Sequence, residues 1–478
     1  MTAHSSRSSL SKRIFLSKDR PLCYYPAPMN DPKDAPPVTT QLDFQPFRAW
    51  RYDPERVNVS TVLAPPYDVI SPEKQQKLYD RSPFNCIRLI LNKKEPTDTE
   101  LKNSYTRARD EFRSWQKQKV LVQEQEPSFY VYRQTFKDPA TGAVKSRSAL
   151  LGRVRLEPFE KGIIVPHEKT LSGPKVDRMQ LLKTVQTNFS PVFGLYKDEG
   201  FEVRSIIQDP MNSRPIFEAE DDDNIVHTLW AIEDRDILEK LHSCLKTKTV
   251  YIADGHHRYE TALEYALLQR LEQSASRYVF FPKFMSLASD YMYMALVSFD
   301  DPGFIVLPTH RIVTKLGMTG SEAVLRLEEY FKVEKVTLEK LKEMTASYDQ
   351  DGRIFGLVLK EGCYLLTMLD KEQAKARMLQ GKPDVWYDLN VNVLAHLIFA
   401  ELLGIKEAQW EAILKFEHTV DGAVAPLKKG EAEAVFLLQP PRVEMLEKMG
   451  AVNERMPQKS TYFYPKLATG LVFYSHKE

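Results

Sequence analysis

The stretch Thr249-Val250-Tyr251-Ile252-Ala253-Asp254-Gly255-His256-His257-Arg258-Tyr259-Glu260-Thr261-Ala262-Leu263-Glu264 changes character in its middle. Its β-branched and aromatic start favours a strand. From Arg258 onward the apolar residues Tyr259, Ala262, Leu263, Ala266, Leu267 and Leu271 recur at helical spacing. Asp254 and Gly255 therefore form a tight strand-to-helix turn, with Asp254 able to cap the helix and Gly255 able to adopt a backbone closed to other residues. The backbone N–H groups of a helix start favour an anion. Gly255, His256, His257 and Arg258 would together make a phosphate cradle, the alternative being an ordinary polar start to a surface helix.

Further elements point toward the same chemistry. Ala64-Pro65-Pro66-Tyr67-Asp68-Val69-Ile70 is a rigid extended loop leading into a helix capped by Ser71. It presents Tyr67 and Asp68 at a fixed position, either as substrate contacts or as a structural entry to that helix. Pro166-His167-Glu168-Lys169-Thr170 follows the end of a strand at Ile163 to Val165. Ser172-Gly173-Pro174-Lys175-Val176-Asp177-Arg178 opens a helix, and cations near a helix start make sense chiefly when an anion is shared there. Simple solvation of Lys175 and Arg178 is the other reading. His310 and Arg311, after Leu307-Pro308-Thr309, either add to an anion site or belong to a turn held by Thr309. Met456-Pro457-Gln458-Lys459-Ser460-Thr461-Tyr462-Phe463-Tyr464-Pro465-Lys466 sets a lysine and two hydroxyls before alternating aromatics, without the glycines of a phosphate loop. Lys459, Ser460 and Thr461 are expected either to share the cleft of the Asp254–Arg258 turn or to form a solvated strand entrance.

Taken together, these motifs resemble the domain-of-unknown-function family numbered one thousand and fifteen, from roughly Phe44 to Tyr474. The turn itself, D-G-H-H-R then Y-x-x-A-L, is similar to the signature of the ParB/sulfiredoxin-like superfamily, which includes free-serine kinases. That resemblance implies a mixed α/β (α+β) fold with a ParB/sulfiredoxin-like core and a nucleotide, ATP or ADP, bound by its phosphates. It also implies that Glu168 and His167 face the phosphate site, with Glu168 and His256 as candidate catalytic residues and Glu168 as a general base. Phosphoryl transfer to a small hydroxylated, serine-like metabolite follows, with Arg258, Lys175 and Arg178 supplying cations. Mg2+ is implied, with Asp254 the best protein ligand on offer, although capping competes for its side chain. The rival function is a nucleotide-binding regulator or DNA-associated ParB-like protein without transfer.

Composition narrows the alternatives. The 478 residues are 43% hydrophobic and 27% charged, ordinary for a globular protein. With 66 Lys+Arg against 65 Asp+Glu the net charge is +1, so no bulk basic field favours nucleic acid. A nuclease would need clustered carboxylates, and adjacent His256 and His257 cannot grip one zinc ion as an i, i+4 pair would. Cys23, Cys86, Cys244 and Cys363 have no metal or redox spacing, and no apolar run reaches a membrane span, so a cytoplasmic protein is expected. Its partners would be a small-molecule substrate and a nucleotide.

Residues 1–40, rich in Ser, Pro, Lys and Arg, read as a disordered leader. An N-terminal α/β segment is expected over 41–145, the core with the phosphate site over 146–310, and a C-terminal α/β segment closing the cleft over 311–478. Within these, Cys86 to Leu91 reads as a buried strand, Val420 to Gly430 as a loop, Leu389 to Leu403 as an apolar helix, and Asp349 to Gly352 as a turn.

Overall fold

The computed structural model describes residues 41–168, 172–275, 286–348, 353–452, 454–457 and 459–477. The expected leader and the Asp349 to Gly352 turn lie outside them. The fold is mixed α/β, built on two large sheets. The first has nine strands, in the order Ile164–Pro166, Val250–Asp254, Val192–Tyr196, Tyr291–Ser298, Val144–Arg155, Phe129–Lys137, Val226–Ile232 and Phe217–Glu220, with Phe44–Gln45 alongside Val144–Arg155. Val250–Asp254 runs parallel to Ile164–Pro166 and antiparallel to Val192–Tyr196. Segments 41–145 and 146–310 thus both contribute to one sheet.

Strand Tyr291–Ser298 is buried along its whole length, which explains its unbroken apolar reading, Met292 and Met294 included. The second sheet is antiparallel and comes from later in the chain: Phe331–Val336, Gly362–Met368, Ile354–Leu359, Ala434–Leu437, His310–Val313 and Leu414–Glu417. The tail returns to earlier strands. Tyr462–Tyr464 pairs with Ile305–Leu307, and Tyr474–Ser475 with Thr187–Asn188.

Several local expectations change. Ile87–Ile90 is a helical turn, not a strand, because Asn85 organises it: its Oδ1 accepts the Ile87 N–H and its Nδ2 donates to the Thr61 and Leu63 carbonyls. A four-residue apolar run does not distinguish the two states by periodicity. Val420–Lys428 is a helix capped by Thr419, despite Pro426. Phe217–Glu220, expected within a solvated loop, is an edge strand that buries Phe217 and Ala219. The helix His256–Ala275 buries Tyr259, Ala262, Tyr265 and Ala266 but leaves Leu267 and Leu271 exposed, so its buried stripe is shifted from the expected one. Among the described residues, no helix is long and apolar enough to cross a membrane.

Candidate functional site

The site begins where Val250–Asp254 ends. The register against Val192–Tyr196 shifts between Ile252 and Asp254, an irregularity of the kind that re-aims a side chain. Gly255 follows at φ +94°, and a Cβ there would stand 3.0 Å from the Arg258 guanidinium. Both reasons call for glycine. Tyr259 N–H donates to the Gly255 carbonyl at 3.0 Å, starting the helical ladder. Asp254 Oδ1 accepts the Gly255 N–H at 2.9 Å, while Oδ2 faces Lys466 Nζ at 3.3 Å and Arg258 Nη2 at 3.5 Å. Burial opposes ionisation of Asp254, but Lys466 and Arg258 outweigh it and hold the carboxyl well below its ordinary range.

The loop His167–Glu168 lies against this turn. His256 Nε2 accepts the backbone N–H groups of His167, at 3.2 Å, and Glu168, at 3.4 Å. His256 is thereby a neutral acceptor that shapes the loop, its basicity pushed down to about 3 by burial first and by neighbouring His167 second. His167 Nδ1 donates to the Ile252 carbonyl at 2.5 Å, and its Nε2 lies 2.9 Å from Thr461 Oγ1.

Glu168 Oε1 accepts from Ser460 N–H at 3.1 Å, Thr461 N–H at 3.3 Å and the Thr461 hydroxyl at 3.2 Å. Burial favours its neutral form. The hydrogen bond and charge of His167, with His256 and Lys459 nearby, prevail and lower the carboxyl to about 2. Met456 N–H donates to the His167 carbonyl at 2.7 Å, completing the join between the loop and the tail.

The other cations are engaged in different ways. Arg258 Nη1 donates to the Pro191 carbonyl. Lys175 pairs with Glu260, which also lies 3.5 Å from Arg455 Nη1. Arg178 is buried; it pairs with Asp177, donates to the Ile90 carbonyl at 2.9 Å and stacks over the Tyr67 ring at 4.1 Å. Tyr67, Arg178 and Arg258, with Asn188, Ser190 and Thr261, line an open cleft of about 450 Å3. His257 is half-buried, its basicity lowered by burial, with Glu260, Lys175, Asp68 and Lys459 as the surrounding charges. Asp68 and Lys459 are exposed.

The structure therefore gathers Glu168, His167, His256, Ser460 and Thr461 directly, and Tyr67, Arg178 and Arg258 around one cleft. His310 and Arg311 stand on the second sheet instead. His310 Nδ1 accepts the Leu438 N–H, and burial brings its basicity down to about 3. Lys169, Thr170 and Gln458 of the motifs lie outside the described residues. Lys466, the strongest partner of Asp254, is the residue that motif reading passed over. The signal was available: Tyr462, Tyr464 and Lys466 alternate with buried Phe463 and Pro465, so one face of an extended segment carries all three.

A metal at Asp254 does not fit this arrangement. One oxygen is taken by the Gly255 N–H and the other faces two cations, which neutralise the carboxylate as a metal ion would. Among the described residues, no group of three or more His, Cys, Asp or Glu side chains converges to hold an ion.

Fold and site together define a mixed α/β protein with a strand–glycine–helix turn faced by a carboxylate-bearing loop. The chain belongs to the family described as Protein of unknown function (DUF1015), which it matches over residues 44–392. No curated protein matches it. Among solved structures it is similar to a conserved hypothetical protein from Pyrococcus furiosus, at 15% identity and TM-score 0.31, covering 64% of this chain and 89% of that one. It is similar at the same identity and score to a free serine kinase in complex with AMP, covering 63% and 83%. A C-terminally truncated SbnI from Staphylococcus aureus gives 10% identity and TM-score 0.32, covering 67% and 85%.

Proposed function

We propose that this chain is a nucleotide-dependent phosphotransferase acting on a small hydroxylated metabolite, with the nucleotide phosphates at the start of the His256–Ala275 helix. One observation carries the reading: the Asp254–Arg258 turn, the Glu168 loop and the Lys459–Lys466 segment converge on one helix N-terminus. The resemblance of that turn to the nucleotide-binding signature of the ParB/sulfiredoxin-like superfamily points the same way. Arg258, Lys466 and Lys459 would offset phosphate charge, and Tyr67 and Asp68 would border the acceptor. The segment 311–478 closes the cleft through its tail. In the transfer step the acceptor hydroxyl oxygen bonds to the terminal phosphorus, the bond from phosphorus to the nucleotide's bridging oxygen breaks, and the hydroxyl proton passes to Glu168.

A second reading, nucleotide binding without transfer, is favoured by the state of Glu168. A carboxylate held at about 2 by hydrogen-bond donors is a weak base, better suited to fixing the tail than to taking a proton. One experiment distinguishes the two. The purified chain, incubated with ATP or ADP and a panel of amino acids and sugars, is expected to turn nucleotide over with an acceptor, and Glu168→Gln to keep nucleotide binding while losing turnover. Nucleotide binding with no acceptor-dependent turnover in the parent chain would leave the sensor reading in place.

A further inference from the structure

The second sheet holds a cavity that the phosphate site does not use. It encloses about 310 Å3 and is walled by Leu394, Ala395, Phe399, Trp410 and Leu414, with Pro457 closing the side nearest the tail. Phe416, 40% exposed, stands at the lining too. Into this apolar surface comes Arg311, only 5% exposed.

Arg311 Nη1 donates to the Thr309 carbonyl, and its guanidinium lies 5.3 Å from the centre of the Phe416 ring. No carboxylate among the described residues forms an ion pair with it. Every other deeply buried arginine side chain near the cleft has an acidic or multiple-carbonyl partner: Arg178 has Asp177, and Arg147 has the Tyr464 and Pro465 carbonyls with Gln134. A buried cation with so little compensation is unfavourable. Burial accordingly lowers its basicity to about 10, with Glu168 the charge that opposes the fall.

The wall itself is unusual. Val393–Leu402 is a π-helix, closed by Leu403 N–H donating to the Ile398 carbonyl five residues back. Wide helical turns of this kind are rare and concentrate at functional sites.

We propose that this cavity binds a small organic monocarboxylate with an apolar body, the carboxylate on Arg311 and the body against Leu394, Phe399 and Trp410. Charge complementarity selects an anion, and a single guanidinium forms a two-bonded pair with a carboxylate. The apolar walls select against inorganic phosphate and sugar phosphates, which would leave polar groups without partners. The ligand would sit behind the segment Pro457–Thr461, whose other side holds Glu168; Ser460 Oγ donates to the Pro457 carbonyl at 2.6 Å within that shared wall.

The test is calorimetric titration of the full chain with octanoate and with 4-phenylbutyrate, using octan-1-ol as the neutral control. At least one acid is expected to bind saturably at one site, and the alcohol at least about tenfold more weakly. Arg311→Gln is expected to lower acid affinity about tenfold or more, and Ala395→Trp to abolish it by filling the cavity. Thermal melts of both variants verify folding. The comparison of acid with alcohol needs no variant and decides the matter if either variant unfolds. Absence of saturable acid binding, equal binding of the alcohol, or undiminished binding by folded Arg311→Gln would overturn the proposal.

Discussion

Arg258 shows how one side chain serves both turn and site. It was expected to face solvent from a helix start, yet its guanidinium is mostly covered, bound to the Pro191 carbonyl and facing Asp254. Arg258→Ala is therefore expected to cost about 1–3 kcal/mol of stability, because it leaves buried acceptors without their donor. In calorimetry it should also weaken ADP or ATP binding by about tenfold or more. Unchanged nucleotide affinity would remove the turn from the site. At this scale the sequence was informative where chemistry dictates a residue type: a glycine at positive φ, a carboxylate before it, a cation one helical turn on. It was uninformative about pairing, since nothing local says that Lys175 would meet Glu260 or that Lys466 would meet Asp254.

Elements were legible in proportion to how far local pattern decides them. Asn103 and the stripe Ala108, Phe112, Trp115 define the helix Ser104–Lys117 from the sequence alone, and the structure keeps it. Cys86 to Leu91 and Val420 to Gly430 were misread because side-chain caps, at Asn85 and Thr419, decide those segments. The apolar helix read over Leu389 to Leu403 exists, but its π geometry has no signature in hydrophobic spacing. The tail strand yields a prediction at this scale. Thr461→Val keeps the shape and the Thr461 N–H but removes the hydroxyl bonds to His167 and Glu168, and should cost about 1–2 kcal/mol. Because the Glu168 carboxyl falls from an ordinary 4.5 to about 2 on folding, its contribution is full above about pH 4.5 and is lost as pH falls toward 2. The gap between parent and variant in urea unfolding should therefore be present at neutral pH and shrink in acid; a gap independent of pH would contradict the Glu168 assignment.

Across the whole molecule, four histidines share one electrostatic fate. Burial lowers His256 and His310 to about 3, and His418 and His476 to about 4, from an ordinary 6.5. The unfolded chain takes up protons that these folded rings refuse. Their stabilising effect is therefore complete above about pH 6.5 and is lost as pH falls toward the folded values. Unfolding free energy is expected to decline between about pH 6.5 and 4.5 by on the order of 1 kcal/mol per pH unit for each ring, ahead of the carboxylates. Urea titrations at successive pH values measure it, and a flat profile above pH 5 would show that these rings keep their protons when folded.

The hydrogen bonds between Glu168 and Ser460 span 292 residues of sequence. While a chain is being made, the His167–Glu168 loop and the Asp254–Arg258 turn emerge long before their donors do. A carboxylate enclosed without those donors is strongly disfavoured, so the loop stays open to water until the tail arrives. The site is thus the last thing synthesis completes: a ribosome halted anywhere before Ser460 carries the whole phosphate turn and none of the tail that fixes its facing carboxylate.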